Sequence, residues 1–198
     1  MGQHFQDIFG PGSNIENRII REFDTLSLRV EACRALGLKI VLTSGTFDLL
    51  HVGHSRYLEQ ARQYGDILIV GVDGDEKVRR KKGPNRPIVH EDERMEIVCH
   101  TRHVDLVFLK SATHEHWQFI GTVRPDVLIA TKETYTGAEL DELKKICGEV
   151  VVLEPQAMTS TTARIRALLI GPIKEVRERF TAAAQDIYAF LDTLTGSL

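Results

Sequence analysis

Five short apolar runs set the fold of this chain: "KIVLTSG" (39–45), "DILIVGVDGD" (66–75), "DLVFL" (105–109), "DVLIA" (126–130) and "EVVVLE" (149–154). Each is too short for a buried helix, rich in Val, Ile and Leu, and bounded by Gly or Asp, which is how strands covered on both faces read. Between them lie stretches of helical spacing. Ile19, Ile20, Phe23, Leu26, Leu28, Val30, Cys33 and Leu36 recur helically up to Gly37, a C-cap. Leu49, Leu58 and Ala61 suit the inner face of a second helix stopped by Gly65, and "EDERMEIVCHTRHV" (91–104) is a third with acids at its start. Further helices are expected at 114–122, 138–147, from Ser160 to Leu169 and at 172–194. Strands alternating with helices predict an α/β fold: an open parallel sheet of about five strands with helices on both faces, plus N- and C-terminal helices. Such sheets bind ligands beyond their carboxyl ends, where strand order reverses. Gly45, Asp73 and Ala130 all fall at such ends.

At 198 residues the chain can build one substantial core. The reading divides it into an arm over 1–15, a main domain over 16–170 and a helical extension over 171–198. A net charge of −3 gives no basis for general nucleic-acid binding. Cys33, Cys99 and Cys147 are scattered without CxxC spacing, which fits reduced thiols in a cytoplasmic protein and no structural zinc. No apolar run reaches the roughly 18 residues of a membrane span. The start, "MGQHFQDIFGPGSN", is too polar for a signal peptide.

The chemistry concentrates in "SGTFDLLHVGHSRYLEQA" (44–61), where the first strand hands over to a helix. A helix N-terminus carries unpaired amides and a partial positive charge and so attracts phosphate. Gly53 leaves room for a ligand, and His51 and His54, three apart, share one helix face. On these residues alone a phosphate cradle, an acid/base pair and simple packing stay open. Metal ligation lacks a third ligand at zinc spacing. His100, His103, His114 and His116 fall on different segments and read as surface residues, and Trp117 as packing.

"GTFDLLHVGH" resembles the HxGH signature of the nucleotidyltransferase superfamily that includes the cytidylyltransferases, enzymes that join a nucleotide to a phosphorylated acceptor and release pyrophosphate. The resemblance runs in order over residues 38–166. "GVDGDEKVRRKKGPNRPI" is similar to the segment after the second strand of heptose 1-phosphate adenylyltransferases, "EDERMEIVCHTRHVD" to the arginine-bearing helix, "RPDVLI" to the fourth strand, and "STT" to the serine-threonine signature. The resemblance implies a Rossmann-like fold and a set of roles. Gly45, Thr46, Phe47 and Gly53 would lie against the nucleotide, and His51 and His54 would stabilise charge on the α-phosphate and leaving pyrophosphate. Lys82 would contact phosphates, against the alternative of a solvated basic run "RRKK" (79–82). Arg94 would act with them, against an i,i+4 surface pair. Asp48 and Asp75 would lie near acceptor or metal, against helix capping. Ser160, Thr161 and Thr162 would place hydroxyls on the phosphates, against an N-cap.

Two departures bear on the substrates. After "RPDVLI" the adenylyltransferase pattern continues with lysine, two glycines, aspartate and tyrosine, whereas this chain has "ATKETYTG" from Ala130 and Thr131 onward, in the loop where the resemblance expects the base, which leaves the choice of base open. Before "STT", "EPQAM" lacks the arginines of glycerol- and choline-phosphate cytidylyltransferases, and Arg164 and Arg166 are not at the usual spacing. The expected activity is transfer of NMP from ATP or CTP to a phosphorylated sugar or polyol, with Mg²⁺ held mainly by the nucleotide's phosphates and no dedicated metal residues. A homodimer is expected, with no nucleic-acid or membrane partner. The alternatives are a CTP-dependent glycerol- or alcohol-phosphate cytidylyltransferase, an FAD or coenzyme adenylyltransferase, and a nucleotide-sensing or scaffold protein without turnover.

Overall fold

A computed structural model describes residues 15–131, 134–154, 174–181, 183–185, 187 and 191. The chain falls into two compact units, residues 1–158 and 159–198. The first contains α1 (Ile15–Arg18), β1 (Ile19–Ile20), α2 (Phe23–Ala35), β2 (Ile40–Gly45), α3 (Val52–Arg62), β3 (Ile67–Asp73), α4 (Asp75–Lys82), α5 (Glu91–His100), β4 (Leu106–Lys110), α6 (Gln118–Val123), β5 (Val127–Thr131), α7 (Gly137–Leu143) and β6 (Glu149–Leu153). In the second unit, residues 174–181 are helical and carry the ion pairs Lys174–Glu178 and Arg179–Glu175 at i,i+4 spacing.

The strands form one parallel sheet in the order β1-β4-β3-β2-β5-β6. Successive strands run outward from β2 through β3 to β4, then return to its other side for β5 and β6. The order therefore reverses at β2, and the crevice beyond its carboxyl end is where this class of sheet binds ligands. Alternate residues of the central strands feed two cores. Leu42, Ile69, Phe108 and Leu128 pack with α2, α6 and α7, while Val41, Val70, Val107 and Ile129 pack with α3 and α5. The aspartates that open three of the apolar runs pin the strand starts: Asp66 accepts from Lys39 N (2.8 Å), Asp105 from Leu68 N (2.7 Å) and Asp126 from Ile40 N (2.7 Å).

Among the described residues the sheet has six strands where about five were expected. The addition is β1: Ile19 and Ile20, read from the sequence as helical, pair with Val107 and Phe108. The cause lies next door. Arg18 donates to the carbonyls of Asp105 (3.0 Å), Cys99 (2.8 Å) and Val104, which lays the following residues along β4. The helix proper is Phe23–Ala35, closed as expected by Gly37 at φ 73°, whose N–H reaches Arg34 O at 2.9 Å. Leu49 also departs from expectation: it lies before α3 at φ 51° and is exposed, so only Leu58 and Ala61 form the inner face. The three cysteines are buried free thiols. Among the described residues no helix is long and apolar enough to cross a membrane.

Candidate active site

At the end of β2 the chain folds tightly over itself. Phe47 takes φ 53° and turns its ring back over Gly45, where an added Cβ would stand 3.1 Å from that ring. The loop from Gly45 to Leu50 then delivers the chain to α3, whose N-cap is His51. His51 Nδ1 accepts from Gly53 N (3.1 Å), and His54 Nδ1 accepts from His51 N (3.3 Å). The two rings lie 4.0 Å apart between centroids, with His54 also 5.5 Å from the Phe47 ring.

These two bonds fix the tautomers. Each Nδ1 receives a backbone hydrogen and so carries none, which leaves Nε2–H on both rings as a donor. Burial pushes His54 down to about 4, reinforced by His51 and Lys82 and opposed by Asp48. At neutral pH the ring is an uncharged donor pinned at a helix entrance.

Lys82 ends α4 and senses the same surroundings. Burial lowers its pKa, Arg86 adds to that, and Asp48 and Asp73 oppose it. Lys82 is itself exposed, as are Arg79 and Arg80, and Arg80 pairs with Glu76 one turn away; what sets Lys82 apart is that its charge is felt at His54.

Asp48 and Arg94 hold the loops together. Asp48, 3% exposed, accepts from Ile88 N (3.1 Å) and Val89 N (3.0 Å) and pairs with Arg86 Nη1 at 3.2 Å. It clamps the 86–89 segment to the β2–α3 loop instead of capping a helix. Arg94, 1% exposed, donates Nε–H to Val89 O (2.9 Å), Nη1–H to Thr46 O (2.5 Å) and Nη2–H to Asp75 Oδ1 (2.7 Å). The alternative of an i,i+4 surface pair is overturned, because its acidic partner lies 19 residues upstream and the guanidinium is interior. Asp75 opens α4 and also faces His90 Nε2 at 3.3 Å. One buried arginine thus joins the Thr46 carbonyl, the 86–89 segment and the start of α4.

Thr131 ends β5 on the other side of β2, its hydroxyl 2.6 Å from that of Thr134. Lys132, Glu133, Ser160, Thr161 and Thr162 lie outside the described residues. His114 is half-buried, its ring packed against Phe23 (4.8 Å) and Phe108 (5.8 Å). The sequence reading placed Asp73 at a ligand-binding strand end without a partner and gave no role to Ser44 or Lys110; the three meet at the ends of β2, β3 and β4, with Lys110 Nζ 3.1 Å from Ser44 Oγ and 3.4 Å from Asp73 Oδ1. The signal was a polar residue closing each of three apolar runs, legible as a cluster only once the strand order is known.

Residues 42–186 match the cytidylyltransferase-like family model. The chain is 38% identical over 160 residues to the bifunctional protein HldE of Geotalea uraniireducens, covering 79% of this chain and 32% of that protein. It is 43% identical over 149 residues to the bifunctional protein HldE of Pseudomonas paraeruginosa, covering 73% and 31%. It therefore spans about a third of the length of these curated relatives. Among solved structures, the lipopolysaccharide core biosynthesis protein from Thermoplasma volcanium aligns with a TM-score of 0.52 and 28% identity over 60% of this chain and 97% of that one. The pantoate-beta-alanine ligase from Francisella tularensis aligns at 0.52 with 15% identity, over 69% and 66%, a likeness of fold alone.

Proposed function

The chain belongs to the cytidylyltransferase-like family of nucleotidyltransferases, and from that premise we propose that it transfers NMP from ATP, or less favourably CTP, to a phosphorylated sugar or polyol. An oxygen of the acceptor phosphate attacks the α-phosphorus. The bond from that phosphorus to the α,β-bridging oxygen breaks, and pyrophosphate leaves with the electron pair. No covalent enzyme intermediate is needed, so positioning and charge stabilisation carry the step.

The observation that supports this most directly is the histidine pair, two Nε2–H donors pinned by backbone bonds at the entrance of α3 beyond the carboxyl end of β2. Neutral donors of fixed orientation suit charge that grows on phosphate oxygens during the reaction. In this reading His51 and His54 hold the α-phosphate and leaving group, while Gly45, Thr46, Phe47 and Gly53 let the nucleotide approach the backbone. Lys82 meets the triphosphate. Ser160, Thr161 and Thr162 contribute hydroxyls on the strength of the sequence resemblance. Arg94, Asp48 and Asp75 act as positioning residues, because their polar atoms are engaged with Thr46, the 86–89 segment and one another.

A divalent ion, Mg²⁺, enters as the complex of the triphosphate. The described residues do not assemble a cage of their own, since no group of three or more His, Cys, Asp and Glu converges among them. Thr131 and the residues after it read the base, and assembly as a homodimer belongs to the same proposal. The test is a grid of four nucleoside triphosphates against phosphorylated acceptors and their dephosphorylated counterparts, read by pyrophosphate release. Turnover is expected with a sugar or polyol phosphate and none with the free alcohol. Equal rates for both members of a pair would remove the attacking phosphate from the mechanism.

A further inference from the structure

Ser44, Asp73 and Lys110 share more than an address. The two-residue strand period puts them on the same sheet face as Leu42, Ile69 and Phe108, opposite the face that carries α3. The Lys110 side chain crosses β3 over Gly71, where an added Cβ would stand 2.6 Å from Lys110 Cδ and 2.6 Å from the Phe119 ring. Only glycine leaves this passage open, and through it the ammonium reaches Ser44 on β2.

Around Asp73 the charges do not balance. Its carboxylate faces Lys110 at 3.4 Å, Lys81 at 3.6 Å and Lys77 at 3.8 Å, so among the described residues three ammoniums meet one carboxylate. Asp73 is 6% exposed, and its Oδ1 has no hydrogen-bond partner among the described residues, although the ammoniums lie at ion-pair range. Burial, with Lys77 and Lys81 adding to it and Asp73 opposing it, brings Lys110 down to about 8. Cations crowded at a partly desolvated strand end are stabilised by an arriving anion.

In-line displacement places attacking and leaving oxygens on opposite sides of the phosphorus. The histidines approach the end of β2 from the α3 side, and the lysine cluster approaches it from the other. We infer that Ser44, Lys77, Lys81 and Lys110 form the seat of the acceptor's phosphate group, with Asp73 as the counter-charge that keeps the three ammoniums together when the seat is empty. This rests on the proposed transfer reaction and names residues for its second substrate. Lys110 and Ser44 donate to the attacking phosphate from below the sheet edge, while Lys77 and Lys81 close over it from α4. The seat selects an anionic acceptor and offsets its repulsion from the triphosphate.

Steady-state kinetics of the unmodified protein, Lys110→Met and Lys81→Gln test this, with the acceptor found in the grid and inorganic phosphate as a competitor. Lys110→Met should raise the acceptor KM tenfold or more and leave the nucleotide KM within twofold. Inorganic phosphate should compete with the acceptor in the unmodified protein and lose potency tenfold in Lys110→Met. Lys81→Gln alters a side chain that is 59% exposed, so it keeps the fold, and it should raise the acceptor KM about threefold. A rise in nucleotide KM instead would give the cluster to the triphosphate and overturn the assignment, as would acceptor KM values that ignore both substitutions. Should Lys110→Met not fold, an unchanged acceptor KM in Lys81→Gln overturns it alone. Turnover by the unmodified protein with such lysine-independent KM values refutes the seat and spares the reaction. No turnover with any acceptor refutes both.

Discussion

His54 performs two tasks that substitution can separate. Its Nδ1 receives the N–H of His51 at 3.3 Å, and its Nε2–H is the proposed donor to the reacting phosphate. His54→Ala removes both. His54→Asn keeps an acceptor oxygen near the position of Nδ1 and removes only the distal donor, whereas His54→Gln carries an amide N–H out toward the position of Nε2. Loss of one donor aimed at transition-state charge costs about 2.7–4 kcal/mol, or roughly 10²–10³ in kcat. Loss of a capping acceptor costs about 0.5–2 kcal/mol of stability. His54→Asn should therefore melt close to the unmodified protein while kcat falls about a hundredfold or more. His54→Gln should retain more rate than His54→Asn, and His54→Ala should lose both rate and stability. Pyrophosphate release at saturating substrates, beside thermal melts of the same preparations, measures the two quantities independently. A His54→Asn protein with near-normal kcat would refute the donor role and leave the residue as a cap.

Three further outcomes follow from the same geometry. His54 binds its proton less tightly when folded, at about 4, than its ordinary 6.5, so the unfolded chain takes up the proton first; stability linked to this residue is full above pH 6.5, declines as pH falls toward 4 and levels off below. Chemical denaturation across that range should show the decline, and its loss in His54→Asn checks the assignment. Lys82→Ala should raise the nucleotide KM far more than Arg79→Ala, and equal small effects in steady-state kinetics would return the basic run to solvent. Arg94→Met strands Asp75 without its buried partner, a loss of about 3–5 kcal/mol, which corresponds to roughly 6–20 °C in Tm for a domain of this size; calorimetry showing an unchanged Tm would contradict the tie drawn here.

What the sequence disclosed depended on the range of the interactions concerned. Strands buried on both faces are recognisable one at a time, since continuous apolar runs need no partner to be read, and β2 to β6 were legible for that reason. β1 was not: two isoleucines become a strand only because Arg18 reaches carbonyls more than 80 residues away. The histidine pair was legible because its geometry is set by i,i+3 spacing on one helix. Asp48 and Arg94 were legible as residues and not as functions, since their partners lie about 40 and 48 positions distant. The Ser44–Asp73–Lys110 cluster needs the order β4-β3-β2 before its members meet at all.

The division of charge between the two kinds of donor carries a mechanistic consequence. A lysine attracts a triphosphate as strongly before the reaction as during it, so most of its effect is uniform binding, which lowers KM without raising kcat. A neutral imidazole N–H attracts little in the ground state, and its bond strengthens as negative charge accumulates on the oxygen it faces. Had His54 been protonated at neutral pH, it would have joined the lysines in ground-state binding, and its Nδ1 would have turned a second hydrogen against the His51 N–H. Burial, with His51 and Lys82 adding to it, instead keeps the ring neutral, and the backbone keeps its remaining hydrogen on Nε2. Substitutions at the histidines should accordingly appear in kcat and those at the lysines in KM.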